Sequence, residues 1–300
     1  MERAVLFSCA FVPVEWIEAH GFTPRKVIPG QGNDHSLPGA AMGLCPYAGA
    51  FAREACASGD ASAIIVTTLC DQMRRISEVI GETAGVPLFL MNVPSTWEQE
   101  GARALYRVEL ARLGAFLEDL GGRAPSQKAL AEVMIQYEKG RAGPSPSPRQ
   151  GVRLAITGGP ASHFHRSFYH YVEGKGGTVV LDATDSGERS FPGPYDRSLL
   201  ERSPFEAMAD AYFGTITHPA RRPNRELYRW LERELHRRAV EGIVLLRYLW
   251  CDLWHAEAAV MRERFSVPLL DIDIEGCGSP GDVLDARTSQ RLCAFLEMLK

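Results

Sequence analysis

Short apolar runs alternate with longer amphipathic stretches along the whole chain. Apolar runs that predict buried strands lie at 3–9, 61–68, 86–94, 152–160, 177–185, 240–251 and 267–275. Between them, apolar residues recur at helical spacing, most clearly over 100–122, where two glycines provide a stop signal. Strands separated by helices favour parallel sheets. The pattern therefore predicts an α/β fold.

One segment interrupts this alternation. The stretch GRAGPSPSPRQG, residues 140–151, is rich in Gly, Pro and Ser, and it suits neither a helix nor a strand. The strand and helix pattern restarts directly after it. We therefore predict two doubly wound parallel-sheet (Rossmann-like) domains, residues 1–145 and 146–300, which face each other across a cleft.

The composition of the chain argues against several classes of function. The net charge of −4 gives no general attraction to nucleic acid or to an anionic membrane surface. No apolar stretch approaches the ~18 residues of a membrane span, and no signal peptide is recognisable. We expect a cytoplasmic protein that binds neither nucleic acid nor membrane. Seven cysteines, an odd number, argue against a disulfide framework in such a compartment and favour metal or redox chemistry.

Three of these cysteines share one sequence context. Cys70 and Cys251 each follow a predicted strand and precede Asp and a helical pattern, and Cys45 precedes Pro46, a residue suited to the first turn of a helix. Ligands of open parallel sheets bind beyond the carboxyl ends of the strands. We expect the three thiols to meet in the cleft, where helix N-termini would stabilise thiolates.

Three thiolates with an open position suit a [4Fe–4S] cluster that keeps one iron free for substrate. Zinc bound by three cysteines and a water is a chemical alternative. Each cysteine is otherwise a small buried apolar side chain, which is the expectation for Cys56, Cys277 and Cys293. No C-x₂-C pair is present, so spacing alone does not choose among these alternatives.

The chain resembles the 2-hydroxyacyl-CoA dehydratase and benzoyl-CoA reductase family, whose subunits bind an iron–sulfur cluster through three cysteines. The matching stretches, in order, are FSCAFVPVEWIEAHGF, LCPYAGAFAREA, TTLCDQMRR, ITGGP, YVEGKGGTVVLDATDSGERSF, VEGIVLLRYLWCDLWHAEAAVMRERFSVPLLDIDIEG and RTSQRLCAFLEML. They span nearly the whole chain and place Cys45, Cys70 and Cys251 at the three ligand positions.

The resemblance implies an enzyme, a dehydratase (lyase) or a reductase, with a low-potential [4Fe–4S] cluster in the cleft. In that family an ATP-dependent activator injects one electron, and the substrate thioester becomes a ketyl radical. The partners implied are this activator, a second copy of the chain or a homologous subunit, and an acyl-CoA or other small-molecule substrate. The chain begins at the first strand, and its joint at 140–151 is shorter than is usual in the family, so CoA binding is less firmly implied than the cluster.

Four further residues are candidates for the site. Cys9 ends the first predicted strand and is a possible fourth metal ligand. His163 and His165 follow a glycine turn and are candidates for contact with substrate. His35, in a glycine-rich loop before Cys45, is a candidate catalytic proton or hydrogen-bond donor. For each of them a buried, capping or surface role is the alternative.

Three other functions stay open on the sequence. The chain is alternatively a non-catalytic subunit that holds a cluster and transfers electrons, or a reductase of small molecules that does not use CoA. A zinc-binding α/β protein is the third possibility. Metal content distinguishes the last of these from the others.

Overall fold

The computed structural model describes residues 3–30, 43–141, 150–279 and 284–300. Its strands are β1 (Ala4–Phe7), β2 (Thr23–Lys26), β3 (Ala61–Thr67), β4 (Leu88–Met91), β5 (Val152–Gly158), β6 (Gly177–Thr184), β7 (Gly242–Tyr248) and β8 (Leu269–Ile274). Its helices are α1 (Val14–Ala19), α2 (Pro46–Ala57), α3 (Asp71–Thr83), α4 (Glu100–Asp119), α5 (Gln127–Arg141), α6 (His163–Gly174), α7 (Arg197–Arg202), α8 (Pro204–Thr215), α9 (Arg225–Arg237), α10 (Asp252–Arg264) and α11 (Ala286–Met298).

The strands form two four-stranded sheets, and all their pairings are parallel. The first sheet has the order β2-β1-β3-β4, and the second has the order β6-β5-β7-β8. The two sheets therefore repeat one plan, with the first strand of each half in an inner position. The predicted α/β class with two doubly wound parallel sheets is confirmed.

Two apolar layers flank each sheet. One continuous core joins the inner faces of both sheets with helices α2, α3, α6 and α11, and it includes Leu6 and Ile64 of the first sheet and Leu154 and Val244 of the second. This shared layer fixes the position of one sheet relative to the other. It thereby brings the carboxyl ends of the strands from both halves to one region.

The outer face of the first sheet is covered by helices from both halves of the sequence. Helices α4 and α5 pack there together with α7 and α8, which follow the second sheet's strand β6 in the chain. The predicted domain boundary near residue 145 lies outside the described residues and stays a prediction. What the structure adds is that residues 195–220 share a core with the first sheet.

Glycine is required where strand β5 ends. Gly158 has a φ of +131°, and a Cβ atom added to it would lie 1.8 Å from the carbonyl oxygen of Leu246 on the adjacent strand. Only glycine permits both this backbone conformation and this approach. The GGP turn therefore serves the close packing of two strands beside the cleft.

None of the helices in the described ranges combines the length and the apolar character needed to cross a bilayer.

Candidate functional site

Cysteines from both halves of the chain line one cavity. It has a volume of about 80 Å³ and lies beyond the carboxyl ends of β1, β3, β6 and β7. Its walls are formed by Ser8, Cys9, Ala10, Cys45, Tyr47, Ala48, Thr67, Leu69, Cys70, Gln72, Met73, Pro160, Asp185, His218, Tyr248, Cys251, Leu253 and Trp254. The structure thus brings together all three cysteines that the strand-end pattern selected.

Each of the three cysteines is the residue that precedes the first turn of a helix. Cys45 caps α2, with Pro46 in the first turn as expected, while Cys70 caps α3 and Cys251 caps α10. At such a position the backbone amides of the first turn have no partner within the helix. Two helices of the first half and one of the second therefore begin at this cavity.

Burial has the largest effect on the pKa of each of these thiols. It raises the pKa of Cys45 to about 11 and the pKa of Cys251 to about 12, and it also raises the pKa of Cys70. Nearby backbone amides oppose the shift, but they do not cancel it. We expected the helix N-termini to stabilise thiolates; the net shift has the opposite sign, because desolvation of the charged sulfur outweighs the helix dipole.

Cys45 and Cys70 are close enough to Cys251 to contribute to the raised pKa of its thiol, after the larger effect of burial. Among the described residues, no group of three or more His, Cys, Asp or Glu side chains is placed to hold a single metal ion. Cys9 lines the same cavity, beside Thr67, and burial raises the pKa of its thiol. The structure therefore adds a fourth thiol to the wall, at the position considered for a fourth ligand.

The remaining cysteines do not line the cavity. Cys277 is buried behind it, with its Sγ 3.8 Å from the carbonyl oxygen of Pro46. Cys56 packs from α2 against the shared core, and Cys293 lies on α11, with its Sγ 3.8 Å from the hydroxyl of Tyr171. These contacts agree with the packing role that we expected for the three residues.

Asp185 and His218 are cavity residues that the sequence analysis missed. Asp185 accepts a hydrogen bond from Nε1 of Trp254 at 3.0 Å, lies 3.4 Å from Nε2 of His218 and forms an ion pair with Arg189. Burial would raise the pKa of Asp185, but His218 and Arg189 outweigh it and hold the pKa below its usual range. A signal for Asp185 was available, because it is the last residue of a predicted strand; His218 lies in a loop that carries none.

The residues beside the three helix-starting cysteines differ in burial and contacts. Trp254 is buried and forms part of the cavity wall, whereas Trp250 is 63% exposed and has a φ of +64°. Asp71 starts helix α3, and its Oδ1 lies 3.4 Å from Nε of Arg74 on the helix surface. Of the two tryptophans that flank Cys251, only Trp254 is among the residues that line the cavity.

The two candidate substrate histidines lie on α6, outside the set of residues that line the cysteine cavity. Nδ1 of His165 accepts a hydrogen bond from the backbone amide of Ser162 at 3.2 Å, which caps the helix, and the ring lies 6.1 Å from that of Tyr248. Nδ1 of His163 is buried and has no partner among the described residues. His35 lies outside the described residues, so its catalytic role stays a prediction, as does substrate contact by the other two.

His165 should make stability depend on pH. Burial lowers its pKa from 6.5 to about 4, so the unfolded chain binds a proton that the folded chain excludes. The stabilisation is complete above pH 6.5 and is lost progressively as the pH falls towards 4. Between pH 7 and pH 5 the free energy of unfolding should fall by about 2 kcal/mol on this account. Urea unfolding of the His165→Gln variant, which keeps an acceptor for helix capping, should show this pH dependence reduced by that amount.

A protein-family model matches the chain over nearly its whole length. The family model described as 2-hydroxyglutaryl-CoA dehydratase, D-component, matches residues 9–143 and 137–299. A relative from Escherichia coli (strain K12), named "Putative dehydratase subunit YjiM", is 22% identical over an alignment of 299 positions, and the alignment covers 79% of this chain and 74% of the relative.

Solved structures resemble the chain only weakly. The periplasmic zinc-binding protein TroA from Treponema pallidum is 12% identical, with a TM-score of 0.29 over 99% of each chain, and ZnuA is 11% identical, with a TM-score of 0.25 over 100% of this chain and 98% of its own. Scores this low carry no inference about fold or ligand. The family match is of a different kind, because it extends from residue 9, just after β1, to the end of α11 and includes every cysteine of the cavity. The chain belongs to the 2-hydroxyglutaryl-CoA dehydratase D-component family.

Proposed function

We propose that this protein is a dehydratase subunit that binds a [4Fe–4S] cluster through Cys45, Cys70 and Cys251. The observation that carries the proposal is the placement of three helix-capping cysteines from both halves in the wall of one cavity. Thiolates are the protein ligands of such clusters, and three of them leave one iron free. The donor set therefore fits the cluster that the resemblance implies.

When bound, the cluster would supply a low-potential electron and a Lewis-acidic iron for the carbonyl oxygen of a thioester. The thiols of the metal-free protein hold their protons at pH 7, since burial raises the pKa of each. Loading the site therefore releases protons, and it should proceed more readily as the pH rises.

Aromatic side chains and one carboxylate complete the wall of the cavity. Tyr47, Tyr248 and Trp254 are each at most 3% exposed and separate the sulfurs from solvent. The carboxylate of Asp185 accepts a hydrogen bond from Trp254 and forms an ion pair with Arg189. Its negative charge still contributes to the raised pKa of the Cys70 and Cys251 thiols, after the larger effect of burial.

We propose as partners an ATP-dependent activator that delivers electrons and a second subunit, either identical or homologous. The family to which the chain belongs is a component of a dehydratase, which supports a multi-subunit enzyme. The substrate proposed is an acyl-CoA thioester. A cluster-holding electron carrier and a small-molecule reductase without CoA are the alternatives, and a zinc protein is the third.

Anaerobic purification and reconstitution test the proposal. The protein should bind about four iron and four sulfide per chain, and the reduced form should give an electron paramagnetic resonance signal of a [4Fe–4S] centre. Turnover of an acyl-CoA with activator and ATP would then separate an enzyme from a carrier. Stoichiometric zinc in the purified protein, with no uptake of iron and sulfide, would contradict the cluster.

A further inference from the structure

A second cavity, of about 180 Å³, lies beside the cysteine cavity, and His218 lines both. It sits where the two halves of the chain meet. The backbone amide of Arg222 donates to the carbonyl oxygen of Ser95 at 2.7 Å, and Nε1 of Trp97 donates to the carbonyl oxygen of Pro223 at 2.8 Å. The volume is below the ~300–1,000 Å³ of sites for drug-sized ligands, so it suits a small ligand or the end of a larger one.

Arg221 lines this cavity and is 4% exposed, yet most of its donors are unused. Its Nη1 donates to the carbonyl oxygen of Ile216 at 2.7 Å, while Nε and Nη2 have no hydrogen-bond partner among the described residues. These two nitrogens form one edge of the guanidinium and carry parallel N–H groups. That edge matches the two oxygens of a carboxylate or a phosphate group.

Aromatic rings hold the guanidinium but do not satisfy this edge. Its central carbon lies 4.5 Å from the ring centroid of Phe213, 5.1 Å from that of Trp97 and 5.4 Å from that of Phe11. Cation–π contacts act on the face of the guanidinium, whereas its N–H groups lie in the plane. Burial lowers the pKa of Arg221 to about 10, so the group remains charged at pH 7.

Thr217, another residue of the cavity wall, also has a polar group without a partner in the described part of the chain. The hydroxyl of Thr217 is buried without a partner among the described residues, and Thr217 is 9% exposed. Buried polar groups are nearly always hydrogen-bonded, and an unpaired buried charge is costly. Two unsatisfied groups in one cavity, one of them cationic, indicate that a ligand completes the site.

We propose that this cavity binds the oxyanion of a small molecule, a carboxylate or phosphate group, through the Nε–Nη2 edge of Arg221 and the hydroxyl of Thr217. Because His218 belongs to both walls, such a ligand would be held next to the cysteine cavity. This site does not depend on the presence of a cluster, so it goes beyond the function proposed above.

Titration of the full chain at constant ionic strength tests the site. Succinate and inorganic phosphate serve as probes, and succinamide serves as the neutral isostere of succinate. We expect saturable binding of at least one anion, seen as a higher melting temperature and as a change in the fluorescence of Trp97 and Trp230, which line the cavity. The anion that binds with the higher affinity shows whether the site prefers a carboxylate or a phosphate group. Succinamide should have no effect.

Arg221→Met should weaken anion binding at least about tenfold, since it removes two charge-assisted hydrogen bonds. Without ligand this variant should be at least as stable as the natural protein, because the unpaired buried charge is gone. Arg225→Gln, which alters an exposed arginine paired with Glu98, is the matched control and should bind normally.

Absence of anion-specific binding by the natural protein would overturn the proposal, as would undiminished binding by Arg221→Met. The titration gives its answer whether or not iron is bound. A failure here therefore leaves the cluster proposal intact, and a failure of iron reconstitution leaves this one intact.

Discussion

Replacing Cys251 by serine should abolish the bound cluster. Cys251 is the only one of the three proposed ligands that comes from the second half of the chain, and it lines the same cavity as Cys45 and Cys70. Serine is close to cysteine in size, but its hydroxyl is a poor ligand for iron compared with a thiolate. We expect iron and sulfide to fall to background after anaerobic reconstitution, with the loss of the visible absorption of the cluster.

Cys293→Ser is the matched control. Cys293 lies on α11, outside the residues that line the cavity, and its recorded polar contact is with Tyr171. This variant should retain full iron and sulfide. Circular dichroism should show that both variants are folded. A Cys251→Ser protein that holds as much iron as the Cys293→Ser protein would remove Cys251 from the ligand set.

The sequence predicted the sheets well because buried parallel strands are nearly continuous apolar runs. It overestimated their lengths. The run predicted at 240–251 forms a strand only over Gly242–Tyr248, and the run at 61–68 forms one over Ala61–Thr67. The apolar character continues beyond β3 because Leu69 and Cys70 line the cavity. Hydrophobicity alone does not distinguish the end of a strand from apolar residues that follow it and line a cavity.

Strand β2 went unpredicted for a different reason. Its sequence is TPRK, it lies at the edge of the first sheet, and none of its residues is fully buried. An edge strand tolerates proline and charge, so it has no apolar run to reveal it. Helix α8 was also missed, since its buried residues surround it on most sides and blur the helical period.

The site residues that could be predicted are those whose sequence context occurs more than once in the chain. One context, a cysteine that opens a helix beyond a strand, occurs at Cys70 and Cys251, and the structure brings both to one cavity. Residues without a repeated context, such as His218 and Arg221, are placed by long-range packing between the halves. Such contacts leave no local pattern, so a single sequence cannot reveal them.

Removal of the charge at Glu15 should strongly destabilise the fold. Glu15 is fully buried on α1, and its carboxylate accepts hydrogen bonds from Arg141 at 2.6 Å, from Tyr195 at 2.7 Å and from Tyr212 at 2.6 Å. It thus joins two helices of the first half to the segment of the second half that packs on the first sheet. Glu15→Gln leaves Arg141 without its counter-charge, and breaking such a pair costs about 3 kcal/mol or more.

Chemical unfolding measures this cost, and the exposed pair of Glu98 and Arg225 provides the reference. Glu98→Gln should change the free energy of unfolding by at most about 1 kcal/mol, as is usual for surface ion pairs. Hydrogen exchange should show the Glu15→Gln loss concentrated in α8, because Tyr212 anchors that helix to the carboxylate. If Glu15→Gln and Glu98→Gln lower the free energy of unfolding equally, the hydrogen bonds of Glu15 do not hold the two halves together. The apolar core that residues 195–220 share with the first sheet would then account for their attachment.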